Sequence, residues 1–311
     1  MNPVCDFLFS ADLCVPAKDA ALEELVGALG LPVPGAGAHV VYPHDGWDCV
    51  FALVSKAFAA APTRLEVIAP LDGADVAAPR FGRRVYDGQA PRAVRTHATV
   101  VAVPDMARLV ERVRASGVAH WLQEPAEDVP FQRLWMGAAP GDLGHYTAAA
   151  DCGLRIEFIP SDSNAFSPKL FVTPVDEPRP GEVGYRRIIA RDYGVADLDA
   201  ALAHMDRVFG WDAAHGVRDV PERGYRYATM AANHAHGAAL RLVEQTGGGA
   251  GPGPLAIVIA AFDLEATAQD LERRGTRFVR LRATAHEPEA LVPALSAHVD
   301  AIRIVQEHPI R

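Results

Sequence analysis

Residues 153–160 read Gly-Leu-Arg-Ile-Glu-Phe-Ile-Pro, a strand-length apolar run with one carboxylate in its middle and a proline at its end. Side chains alternate between the two faces of a strand, so Glu157 shares a face with Arg155 and Ile159, and the other apolar residues occupy the opposite face. Burying a carboxylate there is costly unless it is paired, hydrogen-bonded or bound to a metal ion. This stretch therefore predicts a strand with a specific polar function on one face.

The same strand pattern occurs at three other places in the chain. Residues 64–70 (RLEVIAP) place Glu66 in the middle position, whereas residues 239–243 (ALRLV) and 301–305 (AIRIV) place Arg241 and Arg303 there. Each of these strands ends a series made of one strand, one helix and further short strands. The chain is therefore predicted to be α+β, with four βαβββ units in two pairs.

Helical spacing and stop signals place the elements within each unit. The first strand is predicted at residues 5–11. Helices are predicted where apolar residues recur at helical spacing and a glycine follows, namely at residues 18–29, 104–116, 196–208 and 264–274. Residues 166–183, rich in Pro, Asp, Ser and Glu, are predicted to link an N-terminal domain (1–165) to a C-terminal domain (184–311).

Composition restricts the possible function classes. The 311 residues are 50% apolar and carry a formal net charge of -9, which argues against a nucleic-acid partner. No apolar stretch reaches the length of a membrane span, and no signal peptide is visible. The four cysteines form no CxxC pair, so they read as reduced thiols. We therefore expect a cytoplasmic protein that acts on a small molecule.

Three helix patterns carry a family resemblance. Residues 195–211, which include Val-Ala-Asp-Leu-Asp-Ala-Ala-Leu and end in Val-Phe-Gly-Trp, resemble the characteristic helix of the vicinal oxygen chelate superfamily. Residues 103–118 and 262–275 resemble the helix of the family's second module, and the four repeated strands resemble its last strand. The superfamily includes glyoxalases, bleomycin-resistance proteins and extradiol dioxygenases. The resemblance implies two glyoxalase-like domains with cup-shaped mixed sheets, and it specifies the fold more closely than the reaction.

In this superfamily a divalent metal ion sits inside the cup, with ligands from the first and last strands of each module. The resemblance therefore implies Glu66, Glu157 and His97 as metal ligands, with Asp6 as a further candidate near the first strand. His97 lies one residue before the position that spacing gives. One imidazole with two or three carboxylates suits Mg, Mn, Fe, Ni, Co or Zn. Glu157 or Glu66 would also act as a catalytic base.

The alternative for both glutamates is a structural one, because Arg64 and Arg155 precede Glu66 and Glu157 by two residues and can pair with them. In the C-terminal pair, the arginines at the matching positions suit an anionic substrate group or an internal salt bridge. That pair is predicted to lack the metal.

Seven further polar or aromatic residues of the N-terminal half are candidates for lining a pocket mouth: His44, Asp45, Trp47, Trp121, Trp135, His145 and Tyr146.

Two function classes remain open. The first is a metal-dependent enzyme of lyase or isomerase type, acting on a small substrate with vicinal oxygens. The second is a metal-free protein that sequesters a small molecule. An extradiol dioxygenase is a further alternative, but the resemblance implies two histidines and a C-terminal metal for that class. We expect a monomer or a homodimer, with neither nucleic acid nor membrane as partner.

Overall fold

The computed structural model describes residues 4–54, 62–71, 97–127, 129–162, 183–246, 252–295 and 302–306. Of the predicted linker, residues 166–183, only Val183 falls within these ranges. The exact domain boundary therefore stays a prediction.

The predicted helices are confirmed. The described residues contain four α-helices: α1 (Lys18–Leu29), α2 (Met106–Ser116), α3 (Leu198–Phe209) and α4 (Leu264–Arg273). The helices α2 and α3 begin two residues later than predicted, because Asp105 and Asp197 act as N-caps and accept a hydrogen bond from a backbone N–H three residues on.

Most strands of the N-terminal half belong to two sheets, and the first strand of the chain contributes one segment to each of them. The strands are β1 (Phe7–Leu8), β2 (Ser10–Cys14), β3 (His39–Tyr42), β4 (Trp47–Ala52), β5 (Arg64–Pro70), β6 (Thr99–Val103), β7 (His120–Gln123), β8 (Arg133–Met136), β9 (Ala138–Ala139), β10 (Asp142–Tyr146) and β11 (Ile156–Pro160). One sheet has the order β2-β5-β4-β3 and the other the order β1-β6-β11-β8-β7, while β9 and β10 form a separate hairpin.

The strands of the C-terminal half form one continuous sheet. They are β12 (Tyr185–Gly194), β13 (Ala213–Val220), β14 (Tyr225–Met230), β15 (Ala239–Gln245), β16 (Gly253–Ala261), β17 (Phe278–Leu281), β18 (Ala290–Pro293) and β19 (Ile302–Gln306). The order is β13-β14-β15-β12-β16-β19-β18-β17. With β1 and β2 counted as one interrupted strand, the N-terminal order matches it position by position, so both halves contain a pair of βαβββ units.

The first strand differs from its prediction in a way that matters for the site. It was predicted at residues 5–11, but it breaks at Phe9 and continues to Cys14. Before the break it pairs antiparallel with β6, and after it β2 pairs parallel with β5. The break lets one strand serve both units, and it carries the polar residue Asp12 into the sheet.

The helices of the two halves pack against one another between the sheets. One continuous buried cluster contains residues of α1, α2, α3 and α4 together with the inner faces of the two large N-terminal sheets and the C-terminal sheet. Phe158 of β11 contacts Phe209 of α3, with ring centroids 5.2 Å apart. The Thr276 hydroxyl donates to the Ala28 carbonyl at the end of α1, at 2.8 Å. The described part of the chain contains no helix that is long and apolar enough to cross a membrane.

The chain enters β11 through a buried carboxylate, Asp151. It accepts hydrogen bonds from the Tyr146 hydroxyl and from the backbone N–H groups of Gly153 and Ile156, the latter two at 3.2 and 2.8 Å. Its side chain therefore satisfies three donors at the start of the strand that carries Glu157.

We predict that Asp151→Ala lowers the free energy of unfolding by about 2–4 kcal/mol, because it leaves buried donors without an acceptor. Asp142→Ala is the matched control. Asp142 accepts from the N–H groups of Gly144 and His145 at the partly exposed start of β10, so its loss should cost less than about 1 kcal/mol. Denaturant unfolding measures both values, and equal losses would contradict the anchoring role of Asp151.

Candidate functional site

The polar residues of the N-terminal half gather on the sheet face that points away from the helices, which we call the N-terminal cup. On β5, Leu65 and Val67 belong to the helix-side core, so Glu66 faces the other way. On β11, Phe158 is on the helix side and Glu157 on the cup side, as the alternation predicted. Both glutamates are 4% exposed.

Two carboxylates lie side by side at the centre of this cup. The parallel pairing of β2 with β5 puts Asp12 in register with Glu66. Asp12 is 2% exposed. Two like charges directly across a strand pair repel one another, so this arrangement requires a cation or a proton nearby.

His97 supplies part of that compensation. It lies two residues before β6, and its backbone N–H donates to Asp12 Oδ2 at 2.7 Å. Its Nδ1 lies 2.9 Å from the same oxygen, and its ring meets Trp47 edge-on with centroids 6.4 Å apart. His97 thus enters the cup from just outside the strand, although spacing placed the family's histidine one residue later.

Glu157 is paired with an arginine that sequence reasoning did not select. Arg133 Nε lies 3.7 Å from Glu157 Oε1, and Arg133 Nη1 donates to Asp45 Oδ2 at 3.0 Å. The pairing of Glu157 with Arg155 that we considered from sequence is not formed. Arg155 adopts a left-handed backbone conformation and stacks on the Tyr146 ring, 4.2 Å from its centroid.

Burial and mutual repulsion shift the pKa values of these groups. Burial raises the pKa of Glu157 to about 7, although the positive charges of Arg133 and His97 oppose the rise. The pKa of Glu66 is also raised, mainly by burial. Burial by itself lowers the pKa of His97, but the negative charge of Glu66 and the hydrogen bond and charge of Asp12 outweigh it and raise the pKa to about 9.

A metal-type donor set lies within this cup. One ligand atom from each of Asp12, Cys14 and His97 falls within 4.8 Å of the other two, and all three residues are buried. Glu66 faces Asp12 across the strand pair. Oxygen, nitrogen and sulfur donors in this number suit a divalent transition metal, so the residues present fit such an ion.

Asp6, the fourth ligand candidate, lies elsewhere in the structure. Its carboxylate accepts hydrogen bonds from the Ser161 hydroxyl and from Asn233 Nδ2, the latter at 2.8 Å. The backbone N–H of His234 also donates to the Asp6 carbonyl, at 2.9 Å. Asp6 therefore ties β1 to the C-terminal half, and Asp12 occupies the position beside Glu66.

The corresponding face of the C-terminal sheet, the C-terminal cup, holds a closed cluster of ion pairs. Asp192 stands in register with Arg241, as Asp12 does with Glu66. Arg241 Nε lies 2.8 Å and Arg303 Nη1 3.3 Å from the Asp192 carboxylate. Glu287 pairs with Arg241 at 2.9 Å. The internal salt bridge that we considered for these arginines is therefore present.

Among the pocket candidates, Trp47 and Trp135 are buried in the apolar cluster of the N-terminal cup, and Asp45 is held by Arg133. The Trp135 indole donates to Gln123 at 2.9 Å. The side chains of His44 and His145 are exposed, and Tyr146 is engaged by Asp151. The tryptophans are thus the candidate apolar walls.

Sequence reasoning missed four residues that bear on the site: Asp12, Cys14, Arg133 and Arg191. Asp12 and Cys14 lay just beyond the predicted end of the first strand at residue 11. A period-two continuation of the strand through Ser10 and Asp12 was the available signal. The two arginines make contacts across 24 or more residues of sequence, which periodicity does not reveal.

Comparisons with known proteins agree with this fold. A family model described as Glyoxalase/Bleomycin resistance protein/Dioxygenase superfamily matches residues 187–285. The search of curated proteins returns no match to this sequence.

Two solved structures resemble the whole chain. A mutant of 4-hydroxymandelate synthase from Streptomyces coelicolor has a TM-score of 0.63 and 15% identity, covering 99% of this chain and 94% of that chain. BphC, a halotolerant catechol dioxygenase, has a TM-score of 0.58 and 14% identity, covering 100% of this chain and 90% of that chain. At such identities the likeness concerns the fold alone. The family match lies within the C-terminal half, and the two structures show that the whole chain shares their fold.

Proposed function

We propose that the N-terminal cup is the active site of a divalent-metal-dependent enzyme of lyase or isomerase type, acting on a small substrate with vicinal oxygens. The observation that carries this proposal is the in-register pair of buried carboxylates, Asp12 and Glu66. At the equivalent position of the other sheet the register partner of Asp192 is an arginine. The N-terminal cup therefore has a position for a bound cation where the C-terminal cup has the guanidinium of Arg241.

The residues that would hold the ion are Asp12, His97 and Glu66, with the Cys14 thiol in range of the first two. A donor set containing sulfur and imidazole favours Zn, Co, Fe or Ni over Mg. When bound, the ion supplies positive charge that stabilises negative charge developing on the substrate oxygens. To hold the ion, the coordinating nitrogen of His97 would have to be unprotonated, and the ion would then serve as the counter-charge of the carboxylates.

Glu157 is the residue that we assign as general base. Because its pKa is about 7, both its charged and its neutral form are populated near neutral pH. A group that takes up a proton and then returns it needs both forms. In the proposed step a carbon–hydrogen bond next to a substrate carbonyl breaks, and the proton moves to a Glu157 carboxylate oxygen. The electron pair moves onto the carbonyl oxygen, and delivery of the proton from Glu157 to the neighbouring oxygen-bearing carbon completes an isomerisation.

Arg133 orients this base. Its guanidinium lies between Glu157 and Asp45 and stacks over the Trp135 ring, 5.0 Å from the ring centroid. The Trp135 and Trp47 rings provide apolar walls that exclude water and suit a flat substrate.

The metal-free binding protein remains the second candidate, and one observation favours it. The polar groups of the N-terminal cup already pair among themselves, since Asp12 binds His97 and Arg133 binds Asp45. The dioxygenase alternative has less support, because the metal-type donor set among the described residues contains one histidine and lies in the N-terminal half.

We predict that Asp12→Asn weakens Co²⁺ or Zn²⁺ binding at least about a hundredfold, because it removes a ligand rather than an outer partner. The matched control is Asp192→Asn, which makes the same change at the equivalent register position of the other sheet, where the aspartate is 1% exposed. Its affinity should stay within about twofold of the wild type. Titration of chelator-stripped protein, with circular dichroism to verify folding, measures both.

If the wild-type protein binds no metal in this titration, the metal-free binding function replaces the enzyme. Equal losses in the two variants would mean that the ion is not held by the N-terminal cup.

A second prediction concerns the pH dependence of stability without metal. Because the folded-state pKa of His97, about 9, exceeds its ordinary value of 6.5, the folded protein retains a proton that the unfolded chain releases. The resulting stabilisation is complete below pH 6.5 and is lost as the pH rises through 9. The advantage of wild type over His97→Gln should shrink across this window by up to about 1.4 kcal/mol per pH unit.

Denaturant unfolding in the presence of a chelator at pH 6, 7, 8 and 9 provides the measurement. A constant difference between the two proteins would show that His97 does not hold this proton.

A further inference from the structure

A buried arginine of the C-terminal half reaches the candidate site of the N-terminal half. Arg191 lies on β12, next to Asp192, whose side chain belongs to the C-terminal cup. Alternation along the strand therefore points Arg191 to the opposite face, towards the N-terminal half. It is 2% exposed, and its Nη2 donates to the Asp12 carbonyl oxygen at 3.0 Å.

Arg191 also faces the side chain of Asp12. Its Nη2 lies 3.9 Å from Asp12 Oδ1. The other oxygen of this carboxylate, Oδ2, receives both the backbone N–H and the Nδ1 contact of His97. The guanidinium, the carboxylate and the imidazole thus form a continuous series from the C-terminal sheet into the N-terminal cup.

This burial is unfavourable for Arg191 itself. Desolvation lowers its pKa, and Asp12 opposes that shift. Among the described residues, its Nη1 has no hydrogen-bond partner. An arginine buried with a nitrogen left unsatisfied costs free energy. Tyr193, on the same face of the same strand, joins the halves through its hydroxyl and the Gly153 carbonyl at 3.1 Å without placing a charge there. Cohesion between the halves therefore does not require a guanidinium.

We propose that Arg191 is a positioning residue for the N-terminal site: it fixes the backbone and carboxylate of Asp12 so that His97 is held inside the cup. The half of the protein whose own cup is closed by ion pairs thereby contributes to the site in the other half. The consequence for metal binding rests on the proposed function, whereas the positioning of His97 does not.

The test uses the full chain with three substitutions. Arg191→Met removes the charge and both contacts to Asp12 while retaining an apolar stem of similar length. Arg191→Lys keeps the charge but has a single nitrogen. Tyr193→Phe is the matched control, because it removes a hydrogen bond between the halves from the same strand face.

The first readout is hydrogen exchange of the His97 backbone amide, measured by NMR on metal-free protein. We expect exchange at least tenfold faster in Arg191→Met, an intermediate rate in Arg191→Lys, and a rate within twofold of wild type in Tyr193→Phe. The second readout is Co²⁺ affinity, which should fall at least tenfold in Arg191→Met and remain unchanged in Tyr193→Phe.

A His97 exchange rate within twofold of wild type in Arg191→Met would overturn the proposal, and so would an equal acceleration in Tyr193→Phe. If Arg191→Met does not fold, Arg191→Lys decides by the same criterion. Absence of Co²⁺ uptake by the wild type would refute the proposed function alone, since the amide readout is taken without metal.

Discussion

The candidate site depends on the buried contact between Asp12 and His97. The carboxylate of Asp12 accepts a hydrogen bond from the backbone N–H of His97 and also contacts its ring Nδ1. These contacts hold the segment before β6 at the cup. Because Asp12 also stands in register with Glu66, the contact places an imidazole next to two carboxylates. The first and second βαβββ units are thus joined at this point by charge as well as by strand pairing.

The two halves place side chains of opposite charge beside the equivalent aspartate. Each has an aspartate on its first strand, with a charged residue in register on the last strand of its first βαβββ unit. In the C-terminal half that residue is Arg241, and a second arginine, Arg303, completes the neutralisation. In the N-terminal half it is Glu66, and the positive groups that face Asp12 are the His97 imidazole and the Arg191 guanidinium of the other half. This difference locates the proposed chemistry in one half of a symmetric fold.

The fold was largely predictable from the sequence, because it depends on local patterns. Helical spacing, glycine stops and the four repeated strands fix the units, and alternation along β11 correctly assigned Glu157 and Phe158 to opposite faces. The site was less predictable. After the break at Phe9 the first strand continues to Cys14, so that Asp12, and not Asp6, lies in the candidate site. Arg133 and Arg191 reach their partners through tertiary packing, which a single strand's periodicity cannot indicate.

Anomalous diffraction from crystals of the Co²⁺- or Zn²⁺-soaked protein, recorded at the metal's absorption edge, tests the central claim most directly. The account predicts one strong peak in the N-terminal cup, about 2.0–2.3 Å from ligand atoms that include the Asp12 carboxylate and a His97 ring nitrogen. It also predicts no peak beside Asp192, where the arginines already stand. A peak in the C-terminal cup, or none in the N-terminal cup at saturating metal, would contradict it.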